Sequence, residues 1–289
     1  MSDLLAWVGD GMVAANEATV SVFDRAFRGG EGVFETMRAY GSHVFRLDRH
    51  LDRALAGAEV LGFTPPSRES LRCAVTTAVT ANAETLGQQG GAVRLTVTPG
   101  AVDPHSPFPG TPDLAALTVV TVQPVADMTD LWANGVRAAT VPWGREVPSV
   151  KAVSYVASSM ARRRARDAGA DEALFTDDSD HVLEASAANV FAIFESLLVT
   201  PPVDAGLLPG ITRQAVLEVT QSCGLTATEA PLTLSALIGA DEAFLTASTR
   251  EIVPLVAVDG EPIGSGHPGP RTAAIHAAYR TLVQAEGAR

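Results

Sequence analysis

The sequence predicts a mixed α/β (α+β) chain of two lobes. β-like alternating segments and helical stripes take turns along it with short connections. A Pro/Gly-rich stretch, "AVDPHSPFPGTPD" at 101–113, interrupts that pattern once. At 289 residues, 46% hydrophobic and 19% charged, the chain is long and apolar enough for one large or two moderate cores. The break sets the expected division: a small N-terminal α/β domain over 1–113, with its interdomain loop near 101–113, and a larger domain over 114–289.

The elements follow in order. "LLAWVGDGMVAA" (4–15) reads as two short apolar strands joined by Gly9-Asp10-Gly11, a hairpin signal. In 43–63 the apolar residues Leu47, Leu51, Leu55, Ala58 and Leu61 fall on one helical stripe. Ser67 is placed to cap a second helix running toward Leu86. "GAVRLTVTPG" (91–100) alternates and stops at Pro-Gly, as a strand does, and "LAALTVVTVQPV" beyond the loop is strongly β-branched. Strands are then expected near 136–142, 171–176, 190–200 and 241–247. Helices are expected near 154–168, 211–222 and 270–285.

Composition narrows the function classes. A formal net charge of −12 argues against nucleic acid or an anionic membrane as the main partner. Arg162, Arg163, Arg164 and Arg166 form the one dense basic spot, in a helix-like stretch, and read as a solvated face. Cys73 and Cys223 lack a metal or redox spacing, and no His/Cys/Asp cluster points to a metal site. Two free thiols, an N-terminus without a basic-then-apolar leader and no run of 18 apolar residues lead to the expectation of a cytoplasmic, membrane-free protein.

One residue stands out. Lys151, in "PSVKAVSY" (148–155), is the only lysine; the other 20 cations among the 21 Lys plus Arg are arginines. Composition bias explains arginine wherever a solvated charge or an ion pair will serve. It does not explain the exception, because a guanidinium cannot form a Schiff base and a primary amine can. A lysine between a turn-rich run and a helix start is suited to attack a carbonyl, and the carbonyl cofactor that most often uses a protein amine is pyridoxal phosphate. That cofactor requires a carboxylate at its ring nitrogen, a phosphate cup and a group for the substrate carboxylate. Glu184, in "VLEASAANVFAIF", can supply the first. Gly210 opens a helix in "LLPGITRQAVLEV" (207–219), aiming the amides of Ile211 and Thr212 outward at the positive dipole end. Ser248 and Thr249 in "LTASTREIVPL" (245–255) add hydroxyls, and Arg53 a cation. Each signal alone has a bland reading as a turn, a cap or a surface charge.

Together they resemble a known family. Glu184, Ser186, Asn189-Val190-Phe191, Leu198-Val199-Thr200 and Leu208-Pro209-Gly210-Ile211-Thr212-Arg213 reproduce at compatible spacing the signature of the class IV aminotransferases, the fold-type IV pyridoxal-phosphate enzymes. The resemblance extends to "FRGGEGVFETMRAY" (27–40), "FRLDRHLDRAL" (45–55) and "TASTREIVPL", nearly the whole chain. It implies a small N-terminal α/β domain with a larger barrel-like C-terminal one, and homodimers with shared active sites. It implies that Lys151 carries the cofactor and shuttles the proton, and that Glu184 partners the pyridine nitrogen. Arg53, Gly210, Ile211, Thr212, Ser248 and Thr249 correspond to the phosphate cup, and Leu208 to a residue packed on the ring.

Substrate positions separate the family's members. The run Lys151-Ala152-Val153-Ser154-Tyr155 departs from the Lys-Ala-Gly-Gly-Asn-Tyr-like pattern of the branched-chain enzymes, and only Tyr40, Tyr155 and Tyr279 are available for their tyrosine-rich pocket. Pro99 stands where the D-amino-acid enzymes have an arginine, and Phe34 where they have a tyrosine. Thr36 and Arg94 are similar to the aminodeoxychorismate lyases. For the substrate carboxylate the candidates are Arg28, Arg38 and Arg94, with Arg28 and Arg94 preferred. The reading is a transaminase acting between an amino acid and a 2-oxo acid through pyridoxamine phosphate, leaning to D-amino acids and (R)-amines. The alternatives are a lyase releasing pyruvate and 4-aminobenzoate, a branched-chain L-amino-acid aminotransferase and a catalytically silent cofactor-binding paralogue.

Overall fold

The computed structural model describes residues 4–87, 89–105, 114–142 and 147–288, which fall into two compact units. The first comprises residues 1–126 with 150–154, and the second 127–149 with 155–289.

The first unit begins with the expected hairpin, β1 (Leu5–Val8) and β2 (Gly11–Ala14), whose turn at Gly9 has φ +62°. A short helix α1 (Arg25–Gly29) precedes β3 (Val33–Tyr40) and β4 (His43–Val44). Helices α2 (Leu47–Val60) and α3 (Arg68–Ala81) follow; Ser67 caps α3 by accepting from the Ser70 amide at 3.1 Å. A single turn α4 (Ala83–Leu86) leads to β5 (Gly91–Thr98) and β6 (Leu117–Pro124). The antiparallel sheet runs β2-β1-β6-β5-β3-β4. Leu51, Leu71, Val75 and Val79 of α2 and α3 cover it, packed on Met37, Val93, Leu95, Val120 and Val122.

This moves the boundary read from the sequence. β6 pairs along its full length with β5, from Gly91↔Pro124 to Thr98↔Leu117, and buries Val120 and Val122 in the first core. A strand placed in a domain over 114–289 therefore belongs to the first unit. Of the 101–113 stretch, 106–113 lie outside the described residues; Ala101 bridges Asp24.

The second unit holds α5 (Thr129–Asn134), β7 (Val136–Pro142), α6 (Val156–Asp167), β8 (Glu172–Thr176), β9 (His181–Ala185), β10 (Asn189–Phe194) and β11 (Leu197–Thr200). It continues with α7 (Ile211–Val219), β12 (Thr226–Glu229), β13 (Leu232–Thr233), α8 (Leu234–Ile238), β14 (Glu242–Ala247), β15 (Glu251–Val258), β16 (Glu261–Pro262) and α9 (Pro270–Gly287). The mixed sheet is ordered β12-β11-β10-β14-β15-β7-β8-β9-β13. β9 and β10 stand five places apart in that order, yet Ala185 bridges Ala188 just before β10 begins. The sheet therefore curls round on itself, which is the barrel-like form the resemblance implied. β12, β13, β15 and β16 were not anticipated, nor were α5 and α8.

Candidate active site

In the first unit the site is built on β3. Side chains alternate along a strand. Val33, Glu35, Met37 and Ala39 turn to the buried face, and Phe34, Thr36 and Arg38 to the other. Lys151 is fixed beside the start of this strand. The Phe34 amide donates to its carbonyl at 2.8 Å, the Val153 amide donates to Gly32 O at 2.9 Å, and Val33 bridges Ala152. Val150 is driven into the core beneath. α2 approaches closely enough that a Cβ on Gly57 would lie 3.1 Å from Val33 Cγ1 and 3.4 Å from Val150 Cγ1. The Lys151 Nζ then lies 4.6 Å from the centroid of the Phe34 ring, and the Arg94 guanidinium carbon 3.8 Å from the same centroid. Thr36 is the cross-strand partner of Arg94.

Phe34, Thr36, Arg94 and Lys151 are thus brought together. Two other candidates are not. Arg28 sits exposed on α1. Arg38 reaches the far end of β3, where it donates to Gln89 O at 2.8 Å and lies over Tyr40.

Beneath β3, Glu35 is wholly buried and gathers two partners from α2. Arg53 donates to it from Nε and Nη2, both at 2.7 Å, and His50 Nδ1 lies 2.8 Å from Oε2. Burial would raise the Glu35 pKa, but the charge and hydrogen bonds of Arg53, with His50, outweigh it and hold the carboxyl at about 2. Burial also lowers His50, against the pull of Glu35. Arg53, read as a phosphate cation, thus has its Nε and one Nη engaged by a carboxylate that the sequence reading did not single out.

In the second unit, Glu184 lies buried at the end of β9. Its Oε2 accepts from the Leu208 amide at 3.2 Å and from Asn189 Nδ2 at 3.4 Å. The same Asn189 amide donates to Leu208 O at 2.9 Å, so one side chain pins both the carboxylate and the 207–210 segment. Gly210 is the N-cap of α7 and has no side chain to satisfy the first-turn amides of Ile211 and Thr212. Any Cβ there would overlap Asn189 Oδ1. Thr212 is buried in that first turn, and Leu208 is buried just before it. Arg213, the basic residue of the signature, serves structure: it is buried and donates to Pro201 O at 2.9 Å and Glu229 at 2.6 Å. Ser248 and Thr249 form the turn after β14, half-buried.

A family model for class IV amino-transferases matches residues 32–258. The chain is 34% identical to a Methanocaldococcus jannaschii protein assigned as a branched-chain-amino-acid aminotransferase, over 93% of each chain. It is 31% identical to the D-alanine aminotransferase of Bacillus licheniformis, over 96% of each. The solved branched-chain amino acid aminotransferase of Thermobaculum terrenum, in its PLP-bound holo form, superposes with a TM-score of 0.85 at 25% identity, covering 97% of this chain and 94% of that one. The chain belongs to the class IV aminotransferases.

The cofactor of these aminotransferases is pyridoxal 5'-phosphate, and the residues present fit it. The chain has one primary side-chain amine, Lys151, on a backbone locked to β3. Glu184 is a buried carboxylate suited to a pyridine nitrogen. An uncapped helix start and the hydroxyls of Ser248 and Thr249 suit a dianionic phosphate. Among the described residues no group of three or more His, Cys, Asp and Glu could hold a metal ion, and no helix is long and apolar enough to cross a membrane. The sequence reading missed Glu35, His50, Glu172 and Arg250, whose importance rests on partners distant in the chain. Ser186 and Asn189 were visible within the signature and were not assigned roles.

Proposed function

We propose that this aminotransferase moves an amino group between a D-amino acid and a 2-oxo acid, with (R)-amines as a related donor class. The observation that carries the donor preference is where the three tyrosines go. Tyr279 is buried in α9, Tyr155 donates its hydroxyl to Ser186 O at 3.0 Å, and Tyr40 lies beneath Arg38, so each of the three tyrosines in the sequence already has a local engagement, which supports a donor other than the branched-chain L-amino acids. A second reading, the branched-chain L-amino acids, is favoured by the M. jannaschii relative, which is as similar as the D-alanine enzyme.

The cofactor, when bound, supplies an electron-withdrawing ring that stabilises negative charge at the substrate Cα. This chain's residues do the rest. Lys151 Nζ would act as the general base at the substrate Cα, holding that proton as its ammonium form and giving it back to the cofactor carbon that carries the amino group. Glu184 keeps the ring nitrogen protonated. Ile211 and Thr212 with the hydroxyls of Thr212, Ser248 and Thr249 hold the phosphate, Arg53 adds a guanidinium donor whose charge is paired with Glu35, and Leu208 packs on the ring. Arg94, stacked on Phe34 beside Thr36, is the favoured guanidinium for the substrate carboxylate, ahead of the exposed Arg28. Family membership supports a cytoplasmic homodimer.

The test is a half-reaction. Single D- and L-amino acids are added to the loaded enzyme without acceptor, and the absorption of the lysine-bound cofactor is followed. D-alanine and other D-amino acids are expected to bleach it. Bleaching by L-leucine or L-valine alone sinks the D reading and establishes the second one.

A further inference from the structure

Within the second unit, the turn carrying Ser248 and Thr249 is tied down by the residue that follows it. Arg250 Nη2 donates to Glu172 Oε2 at 2.8 Å. Glu172 lies on β8 and is 2% exposed, so the ion pair is anchored at a buried carboxylate rather than on a mobile surface side chain. Its other oxygen is also held: Ser186 Oγ donates to Oε1 at 2.5 Å, and Ser186 is itself wholly buried. The Ser186 amide donates to Ala173 O at 2.9 Å, and its carbonyl accepts from Tyr155. One carboxylate therefore joins the 248–250 turn to the segment two residues beyond Glu184.

The backbone of Arg250 is fastened as well. Its carbonyl accepts from Trp132 Nε1 at 3.0 Å. The next residue, Glu251, has φ +58°, a left-handed conformation that a non-glycine residue keeps only when its surroundings impose it. His276 at 2.7 Å and Arg280 at 2.9 Å engage its buried carboxylate and provide that hold.

The geometry points to Arg250 as a positioning residue: through Glu172 and Ser186 it sets the Ser248–Thr249 hydroxyls for the cofactor phosphate. Arg250 touches no reacting atom in this role. A guanidinium is suited to it because it stays charged and its planar fork loses little freedom when one arm is fixed. This rests on the assignment of Ser248 and Thr249 to the phosphate.

The experiment compares binding of pyridoxal phosphate and of pyridoxal, which lacks the phosphate, to the cofactor-free protein. The variants are R250M, E172Q, R250M/E172Q and S248A/T249A, with the melting temperature of each cofactor-free variant recorded. R250M leaves a buried carboxylate without its cation and can fold poorly; the double variant removes both charges and keeps the test open. In E172Q the pair loses its negative charge, and the amide oxygen can face Arg250 only by turning the amide nitrogen toward Ser186 Oγ and the Ala173 amide, which costs the Ala173 bond.

Expected is a pyridoxal phosphate affinity roughly tenfold or more weaker in E172Q and in the double variant, with pyridoxal binding changed less than twofold. The double variant should be no worse than the weaker single one, because both changes break the same contact. Equal loss for both ligands, tracking the melting temperature, overturns the inference in favour of a purely structural pair. Loss in R250M but none in E172Q overturns it in favour of direct phosphate contact by Arg250. If S248A/T249A leaves the preference for the phosphate intact, the phosphate assignment itself fails, and this inference falls with it.

Discussion

At the scale of single residues, the site depends on two positions where side-chain size or type admits no substitute. Lys151 is one, for its amine. Gly210 is the other, for a steric reason: its φ of −67° is open to any residue, but a Cβ would overlap Asn189 Oδ1 and lie 3.2 Å from Arg213 Cβ. Asn189 cannot retreat without giving up its bonds to Leu208 O and Glu184 Oε2. Gly210→Ala is therefore expected to weaken cofactor binding at least tenfold. It should also lower stability by about 1–3 kcal/mol, the usual cost of overpacking a fitted site. A cofactor titration and a urea melt of the same preparation check both, and an unchanged affinity would show that Asn189 has room to move. The glycine was legible in the sequence as a helix start. The asparagine that demands it was legible only as a signature letter, since 21 residues separate the two and contact between them is a property of the fold.

At the scale of elements, β3 and α2 are joined by polar groups at a place where a core ordinarily uses apolar ones. β3 reads poorly from sequence for that reason. Glu35 occupies an inward position and Phe34 the opposite face, so the alternation that identified β5 is broken. α2 was readable by its leucine stripe, yet the same stripe carries His50 and Arg53 inward with no sign in the spacing. The pairing has a pH consequence. Glu35 is depressed from 4.5 to about 2 in the folded protein, so its contribution is fully present above pH 4.5 and is lost as pH falls toward 2. By linkage this is worth on the order of 3 kcal/mol. His50, also depressed by burial, adds loss in the same direction once pH drops below 6.5, where the unfolded chain binds a proton that the folded chain resists. Urea midpoints measured from pH 8 downward should fall on the acid side. Glu35→Gln should lower the midpoint at pH 7, by leaving Arg53 unmatched, and flatten the limb below pH 4.5. A variant with the wild-type acid limb would show that Glu35 is not the group responsible.

At the scale of the whole molecule, the division of the chain and the division of its chemistry do not coincide. Lys151 lies in the second half of the sequence, and the break at 101–113 assigned it there. Its five-residue segment, 150–154, instead packs as part of the first unit through Val150 and the pairing of 151–153 with 32–34. Local pattern could not show this, because the segment has no periodicity of its own and its partners are more than a hundred residues away. The second unit was legible where apolar residues dominate a run, as in β8, β10 and β14, whereas the short strands β12, β13 and β16 span too few residues to show a period, and β15 carries Pro254 within its run. What composition did disclose holds for the entire chain: with 20 arginines and one lysine, a reagent for imines has one side-chain target. Borohydride reduction of the loaded enzyme should therefore fix one cofactor per chain. Trypsin should then release residues 146–162 as a single peptide carrying the cofactor mass, because the blocked Lys151 is no longer cleaved, whereas unreduced protein is cut there. Lys151→Arg should take up no label in this peptide, keep a melting temperature within a few degrees, and lose transamination by several orders of magnitude. Label recovered on another peptide, or activity surviving in the arginine variant, would remove Lys151 from the mechanism and return its solitude to composition bias.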